Sequence, residues 1–217
     1  MAGQAKGKAV VFGALSLGII GFAMAMSTPA YATETWLNKQ EKKKGKKSTA
    51  RTLKEAASKF SKELVASARK WAGKRNIPLL DVLTTILLES RGNPQAHALS
   101  SKEDSRGIMQ VNVRAHGDLI KKLGYSPNDL YRLDVGIEIG TALLATKRQK
   151  VMDLIKQSGR KQEYTSDVLT RLYYAGPKYA TDWILKKTHF RNMETYVDHW
   201  KEARQAVAES MASGTYA

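Results

Sequence analysis

The stretch TTILLESRGNPQAH, residues 84–97, joins an apolar run to a polar, turn-forming one through a single carboxylate, Glu89. Upstream, Leu79, Val82, Ile86 and Glu89 step by three, four and three residues. That spacing predicts a helix with all four side chains on one face. Pro78 suits its first turn, and Gly92 with Asn93-Pro94 ends it. Glu89 therefore lies near a helix C-terminus, where an anion opposes the macrodipole at a cost of about 0.3–1 kcal/mol. A carboxyl on an apolar face is also desolvated, which raises its pKa and suits it to general-acid chemistry. The competing reading is an exposed helix end that pairs with Arg91 or Arg106.

Around this helix the pattern is mostly helical. Leu53, Phe60, Leu64 and Trp71 recur at helical spacing from about residue 52, with Ala57 and Ala68 between them. Further helical patterns fall near 115–123, 134–150, 166–174, 180–187 and 193–210, and Ser126–Asp129 reads as a turn. Residues 92–106 are polar and irregular, and Gly107–Asn112 is a short apolar piece that fits an extended segment. The expectation is a mostly α domain with a small or vestigial β element around 105–113.

The 217 residues carry a net charge of +16, weighted toward the first 88, and no cysteine. Disulfides, thiolate metal sites and thiol nucleophiles are excluded. A basic chain favours anionic partners, or carries a solvated basic face with no dedicated partner. Lys6 and Lys8 precede an uncharged run, Ala9 to Met26, and then Ala30 and Ala32 in an A-x-A arrangement. These are the three parts of a secretory signal, so residues 1–32 are expected to be a cleaved leader, with an uncleaved membrane anchor as the alternative. Residues 33–50, rich in lysine, read as a disordered basic linker able to touch an anionic envelope surface. The domain proper then spans 51–217, with a lead helix at its start. The histidines His97, His116, His189 and His199 are not at ligand spacing, so each reads as a surface or satisfied histidine and no metal site is expected.

Four stretches, ESRGNPQAH (89–97), SRGIMQVN (105–112), YYAGPKY (173–179) and ETYVDHW (194–200), together resemble the soluble-lytic-transglycosylase type of lytic transglycosylase domain, of the lysozyme-like superfamily. The resemblance covers roughly residues 65–205. It implies a lysozyme-like α+β fold and a peptidoglycan lytic transglycosylase with no cofactor, while the signal-like N-terminus implies export to the periplasm, cell envelope or exterior and points away from a nucleic-acid partner. The resemblance implies Glu89 as the single catalytic acid/base, followed by Ser90. Gly107, Met109 and Gln110 match the block that lines the sugar cleft in the family. Ala175 and Gly176 match the Tyr-Asn-Ala-Gly motif, with Tyr174 in place of its asparagine. Tyr196 matches the tyrosine that orients the catalytic carboxyl. Read from the residues alone, Met109 is a core side chain, Ala175-Gly176 a turn and Tyr196 a packing aromatic. Ala98 replaces a frequent serine, and Glu103 and Asp104 fall outside the family's pattern.

Three other readings compete. A hydrolytic muramidase would draw a second carboxylate from Glu103 or Asp104, since glycoside hydrolases usually use two. A nucleic-acid-binding protein would use the basic segments, with a steep salt dependence. A catalytically dead wall-binding module would hold glycan without turnover.

Overall fold

The computed structural model describes residues 46–101, 103–157 and 191–216. The expected leader, the linker up to residue 45, the helical patterns at 166–174 and 180–187, and His189 lie outside the described residues. Helix α1 spans Lys46–Ala57 and α2 spans Lys62–Arg75. The apolar spacing from Leu53 to Trp71 predicts one helix, but the chain breaks at 58–61. Ser61 explains the break: its side chain accepts from the Leu64 amide at 3.1 Å and caps a new helix. Helix α1 also begins at Lys46, inside the segment expected to be a disordered linker. Asn76, in the left-handed region at φ 51°, closes α2.

Helix α3, Leu79–Ser90, is the centre of the fold. The sequence predicts one apolar stripe on it, yet all eight residues from Asp81 to Leu88 are buried. A helix covered on every side must neutralise its own polar groups. Thr84 and Thr85 return their hydroxyls to the carbonyls of Leu80 and Asp81, at 2.6 and 2.9 Å. Asp81, 1% exposed, meets Arg204 Nε at 3.3 Å.

Three short antiparallel strands follow: β1 His97–Leu99, β2 Asp104–Arg106 and β3 Val111–Asn112. His97 pairs with Arg106 and Leu99 with Asp104, while Arg106 pairs with Val111 across the other edge. The β element thus starts earlier than the apolar piece at 107–112 suggests, and Gly107–Gln110 form the turn between β2 and β3. Asn112 caps α4, Val113–Lys122, by accepting from the amides of Arg114 and Ala115. A 3-10 turn, Pro127–Tyr131, occupies the expected Ser126–Asp129 turn, and Asp129 accepts from the Ser126 amide at 2.8 Å.

Helix α5, Leu133–Gln157, and α6, Arg191–Ala212, complete the described fold. Asp134 fastens α5 to α2 by accepting from Ser67 Oγ, Lys70 Nζ and Trp71 Nε1, at 2.6, 2.9 and 2.8 Å. Helix α6 lies against both α1 and α3. The chain end folds back over this layer, with Tyr216 Oη donating to the Ala57 carbonyl at 2.8 Å. Among the described residues no helix is long and apolar enough to cross a membrane.

Candidate active site

Glu89 stands where the buried length of α3 comes to the surface. Leu88 is 2% exposed, whereas Glu89 and Ser90 have partial access to solvent. Arg91, in the left-handed region at φ 55°, ends the helix one residue before Gly92. Gly92 also has positive φ, and a side chain there would press on the Phe60 ring and Leu64. The helix therefore stops just after Glu89, at the edge of the core.

Tyr196 comes to Glu89 from α6. Its hydroxyl donates to Glu89 Oε1 at 3.2 Å, and the ring is 4% exposed. Burial pushes the Glu89 carboxyl up to about 7. The Tyr196 hydrogen bond and the positive charge of Lys147 pull it down, while the negative charge of Glu103 adds to the rise. At neutral pH this carboxyl is divided between acid and carboxylate, so it can both give and take a proton. Arg106, the alternative partner suggested by sequence, instead holds Asp104 through two nitrogens at 2.8 Å.

Ser90 works on the backbone. Its hydroxyl donates to the Ile108 carbonyl at 2.6 Å and accepts from the Gly92 amide at 3.2 Å. One side chain thereby ties the end of α3 to the turn between β2 and β3. Within that turn Gly107, Ile108 and Met109 are all buried, and Gln110 alone reaches the surface. Met109 packs on α5, and a side chain at Gly140 would run into it. Gln110 gives its amide hydrogens to the carbonyls of Ala96 and Gly107, at 3.0 and 2.9 Å. Its carbonyl oxygen is then the group it can turn to a ligand. Tyr174, Ala175 and Gly176 lie outside the described residues.

The two loop carboxylates have different surroundings. Asp104 lies between Arg106 and His97, and the Arg106 hydrogen bonds lead in holding it down at about 2. Glu103 is 4% exposed and accepts from Ser105 Oγ at 2.6 Å. It is buried, not the solvated loop charge its neighbours suggest, and it acts electrostatically on Glu89.

Lys147, which the sequence motifs do not single out, acts electrostatically on Glu89. It is 6% exposed on α5, three residues after Leu144 and four after Leu143, both buried. A charged residue on an apolar helical stripe is the same signal that singles out Glu89. His116, expected at the surface or satisfied, is partly buried at a kink in α4. Burial, then Lys147 and Lys150, bring it down to about 4. Among the described residues no three His, Asp or Glu side chains are grouped to hold a metal ion.

A central buried helix ending in a proton-active glutamate, beside a small antiparallel sheet and under a tyrosine from a later helix, defines a lysozyme-like domain. The chain belongs to the family of the transglycosylase SLT domain, which matches residues 66–194. Helix α1 and most of α6, Tyr196 included, lie beyond the matched span. No curated protein matches the chain. The family implies glycan cleavage by transglycosylation, with peptidoglycan as substrate and an extracytoplasmic place of action.

Proposed function

We propose that this chain cleaves the β-1,4 bond between N-acetylmuramic acid and N-acetylglucosamine and leaves 1,6-anhydromuramyl ends, with Glu89 as the one acid and base. The observation that carries the reading is the end of α3, where Tyr196 Oη donates to Glu89 Oε1 at 3.2 Å. Protonated Glu89 gives its proton to the glycosidic oxygen as the bond from muramyl C1 breaks. The substrate's own groups stabilise the positive charge at C1. The carboxylate then takes the proton of the muramyl C6 hydroxyl as O6 bonds to C1. Glu89 ends protonated, as it began, and no water is consumed. Burial favours the acid form needed at the start, and Tyr196 favours the carboxylate needed in between.

Ser90, Gly107, Met109 and Gln110 serve as supporting or substrate-binding residues in this reading, with Tyr174, Ala175 and Gly176 joining them from 173–179. Met109 and Gly107 would act from the core by shaping the turn, and Gln110 by direct contact. Export by residues 1–32 and tethering by the basic segment after them complete the proposal.

Glu89→Gln on purified peptidoglycan tests it. Gln keeps the shape but cannot deliver a proton, and turnover should fall by about 10²–10⁴-fold. Near-normal turnover would refute the assignment. The burial of Glu103 near Glu89 favours one second reading, a hydrolytic muramidase in which Glu103 activates water. Mass spectrometry of the products separates the two: anhydro ends support transglycosylation, reducing ends hydrolysis.

A further inference from the structure

Two segments outside the matched span hold each other beside the end of α3. Beyond α6 the chain turns at Gly214, where φ is 71°, and brings Tyr216 back to α1. There Tyr216 Oη donates to the Ala57 carbonyl at 2.8 Å. The Tyr216 ring stacks on Phe60, with centroids 6.1 Å apart and planes 21° from parallel. Lys54 Nζ and Glu209 Oε2 also join α1 to α6, at 3.0 Å, but an exposed pair of this kind holds little. Phe60 lies in the link between α1 and α2 and is 6% exposed. Its ring packs on Gly92: a Cβ built there would lie 3.0 Å from Phe60 Cε1 and 3.1 Å from Cδ1, with Leu64 Cδ1 at 3.3 Å. Gly92 comes three residues after Glu89, and its amide donates to Ser90 Oγ at 3.2 Å. The contacts thus run without a gap from Tyr216 through Phe60 and Gly92 to Ser90, the neighbour of Glu89. Ala57, Phe60 and Tyr216 fall outside residues 66–194, whereas Glu89 and Gly92 fall inside.

We infer that Phe60 and Tyr216 are positioning residues for Glu89: Tyr216 holds the Phe60 ring against Gly92, and that ring fixes the end of α3 on which the carboxyl sits. The inference rests on reading Glu89 as the acid. In the proposed reaction one carboxyl must serve two substrate oxygens in turn, so its carrier has to stay in place between the steps. The end of α3 needs outside support for this. Arg91 and Gly92 both take left-handed φ, and the backbone leaves the helical hydrogen-bond ladder there. A close-packed ring passes a displacement on to its neighbour, because the interior has no slack to absorb it. Tyr196 reaches the same carboxyl from the start of α6, and the segment after the end of that helix bears on Phe60. The end of α3 is therefore held by contacts from both ends of α6.

The test combines steady-state cleavage of soluble glycan fragments with amide hydrogen exchange, on Tyr216→Ala in the whole chain and well below its Tm. Misplacing a reacting group by about 1 Å can cost 10²-fold, so a partial loosening should lower kcat about tenfold. KM should stay near native, because Gln110 keeps its own anchors on the Ala96 and Gly107 carbonyls. The Gly92 amide should exchange faster, by a larger factor than the buried amides of α5, which follow global stability. Tyr216→Phe keeps the ring and should return most of the lost kcat. A merely structural tyrosine would lower the Tm and all amide protection together while the folded protein kept its native kcat, and that result overturns the inference. A lowered kcat with no selective change at Gly92 overturns it too. Should Tyr216→Ala fail to fold, Phe60→Leu keeps apolar bulk and carries the same test, with native kcat and native Gly92 exchange as the refuting outcome. Turnover by Glu89→Gln would overturn the catalytic reading itself and leave the Gly92 exchange result standing, so the two failures are distinct.

Discussion

Tyr196 Oη and Glu89 Oε1 meet at 3.2 Å across 107 residues of sequence, one from α6 and the other from the last turn of α3. The hydroxyl donates, so the bond is worth most when Glu89 is ionised. Tyr196→Phe removes it and should raise the pH at which Glu89 releases its proton. Hydrogen bonds to charged groups contribute about 1.5–3 kcal/mol, and this one is long, so a shift of about 1 pH unit is expected. Rate-against-pH profiles on purified peptidoglycan check it. The alkaline limb should move upward, and a profile lowered without displacement would show that Tyr196 only packs.

Gly107 opens the turn between β2 and β3 at φ 75°, and a Cβ there would collide with the backbone carbonyl of Leu130. A backbone oxygen cannot rotate away as a side chain can. Gly107→Ala combines left-handed strain with that clash and should destabilise the domain by about 3 kcal/mol. Urea unfolding measures this directly. A midpoint equal to the native one would show that the 3-10 turn at 127–131 yields.

How far the sequence discloses this architecture depends on the range of the forces involved. Helices α3, α5 and α6 follow from apolar periodicity, because each buries a face along its length. The break between α1 and α2 does not, since the apolar spacing runs on through it while one capping hydroxyl at Ser61 decides it locally. Strands β1 and β2 show little apolar alternation because polar side chains join them: Asp104 of β2 holds His97 of β1 and its own neighbour Arg106. The full burial of α3 is hidden in the sequence because Asp81, Thr84 and Thr85 read as solvent-facing. Only tertiary structure reveals the Arg204 partner and the hydroxyls turned back to the helix. In the site, Glu89 stands out from its stripe alone. Tyr196 needs the family resemblance, since nothing in local spacing links it to a residue 107 positions earlier. Lys147 is open to the same argument as Glu89, three and four residues beyond buried leucines.

Asp104 separates a structural carboxylate from a chemical one. Its carboxyl is held at about 2 against an ordinary 3.8, first by the Arg106 hydrogen bonds. A depressed carboxylate contributes stability that is fully present above pH 3.8 and lost as pH falls from there toward 2. Asp104→Asn should therefore cost about 1–2 kcal/mol at neutral pH and remove the native protein's loss of stability across that acid window. Denaturant melts at pH 2, 3, 4 and 7 give the comparison. The product spectrum on peptidoglycan should stay as in the native protein. A change from anhydro to reducing ends, or the reverse, would give Asp104 a part in the chemistry that its partners do not suggest.

Ser90 is the hinge pin between the helix that carries Glu89 and the turn that carries Gln110. Its hydroxyl has one hydrogen, and the Ile108 carbonyl at 2.6 Å takes it in preference to the Ile86 carbonyl at 3.3 Å. Its lone pairs receive the Gly92 amide at 3.2 Å. Ser90→Ala leaves both the Ile108 carbonyl and the Gly92 amide to find other partners, and Ile108 is 0% exposed. An unmatched buried polar group costs about 1–3 kcal/mol, so stability should fall by about that amount. The turn would also lose its tie to α3, so Gln110 would sit less firmly relative to Glu89. Substrate binding should suffer more than proton transfer: KM on soluble glycan fragments should rise several-fold, while the pH midpoint of Glu89 stays in place because Tyr196 and Lys147 are untouched. Ser90→Thr, which keeps the hydroxyl, should restore much of the binding. A KM that stays native in the alanine variant would mean that the turn is held to α3 by packing alone.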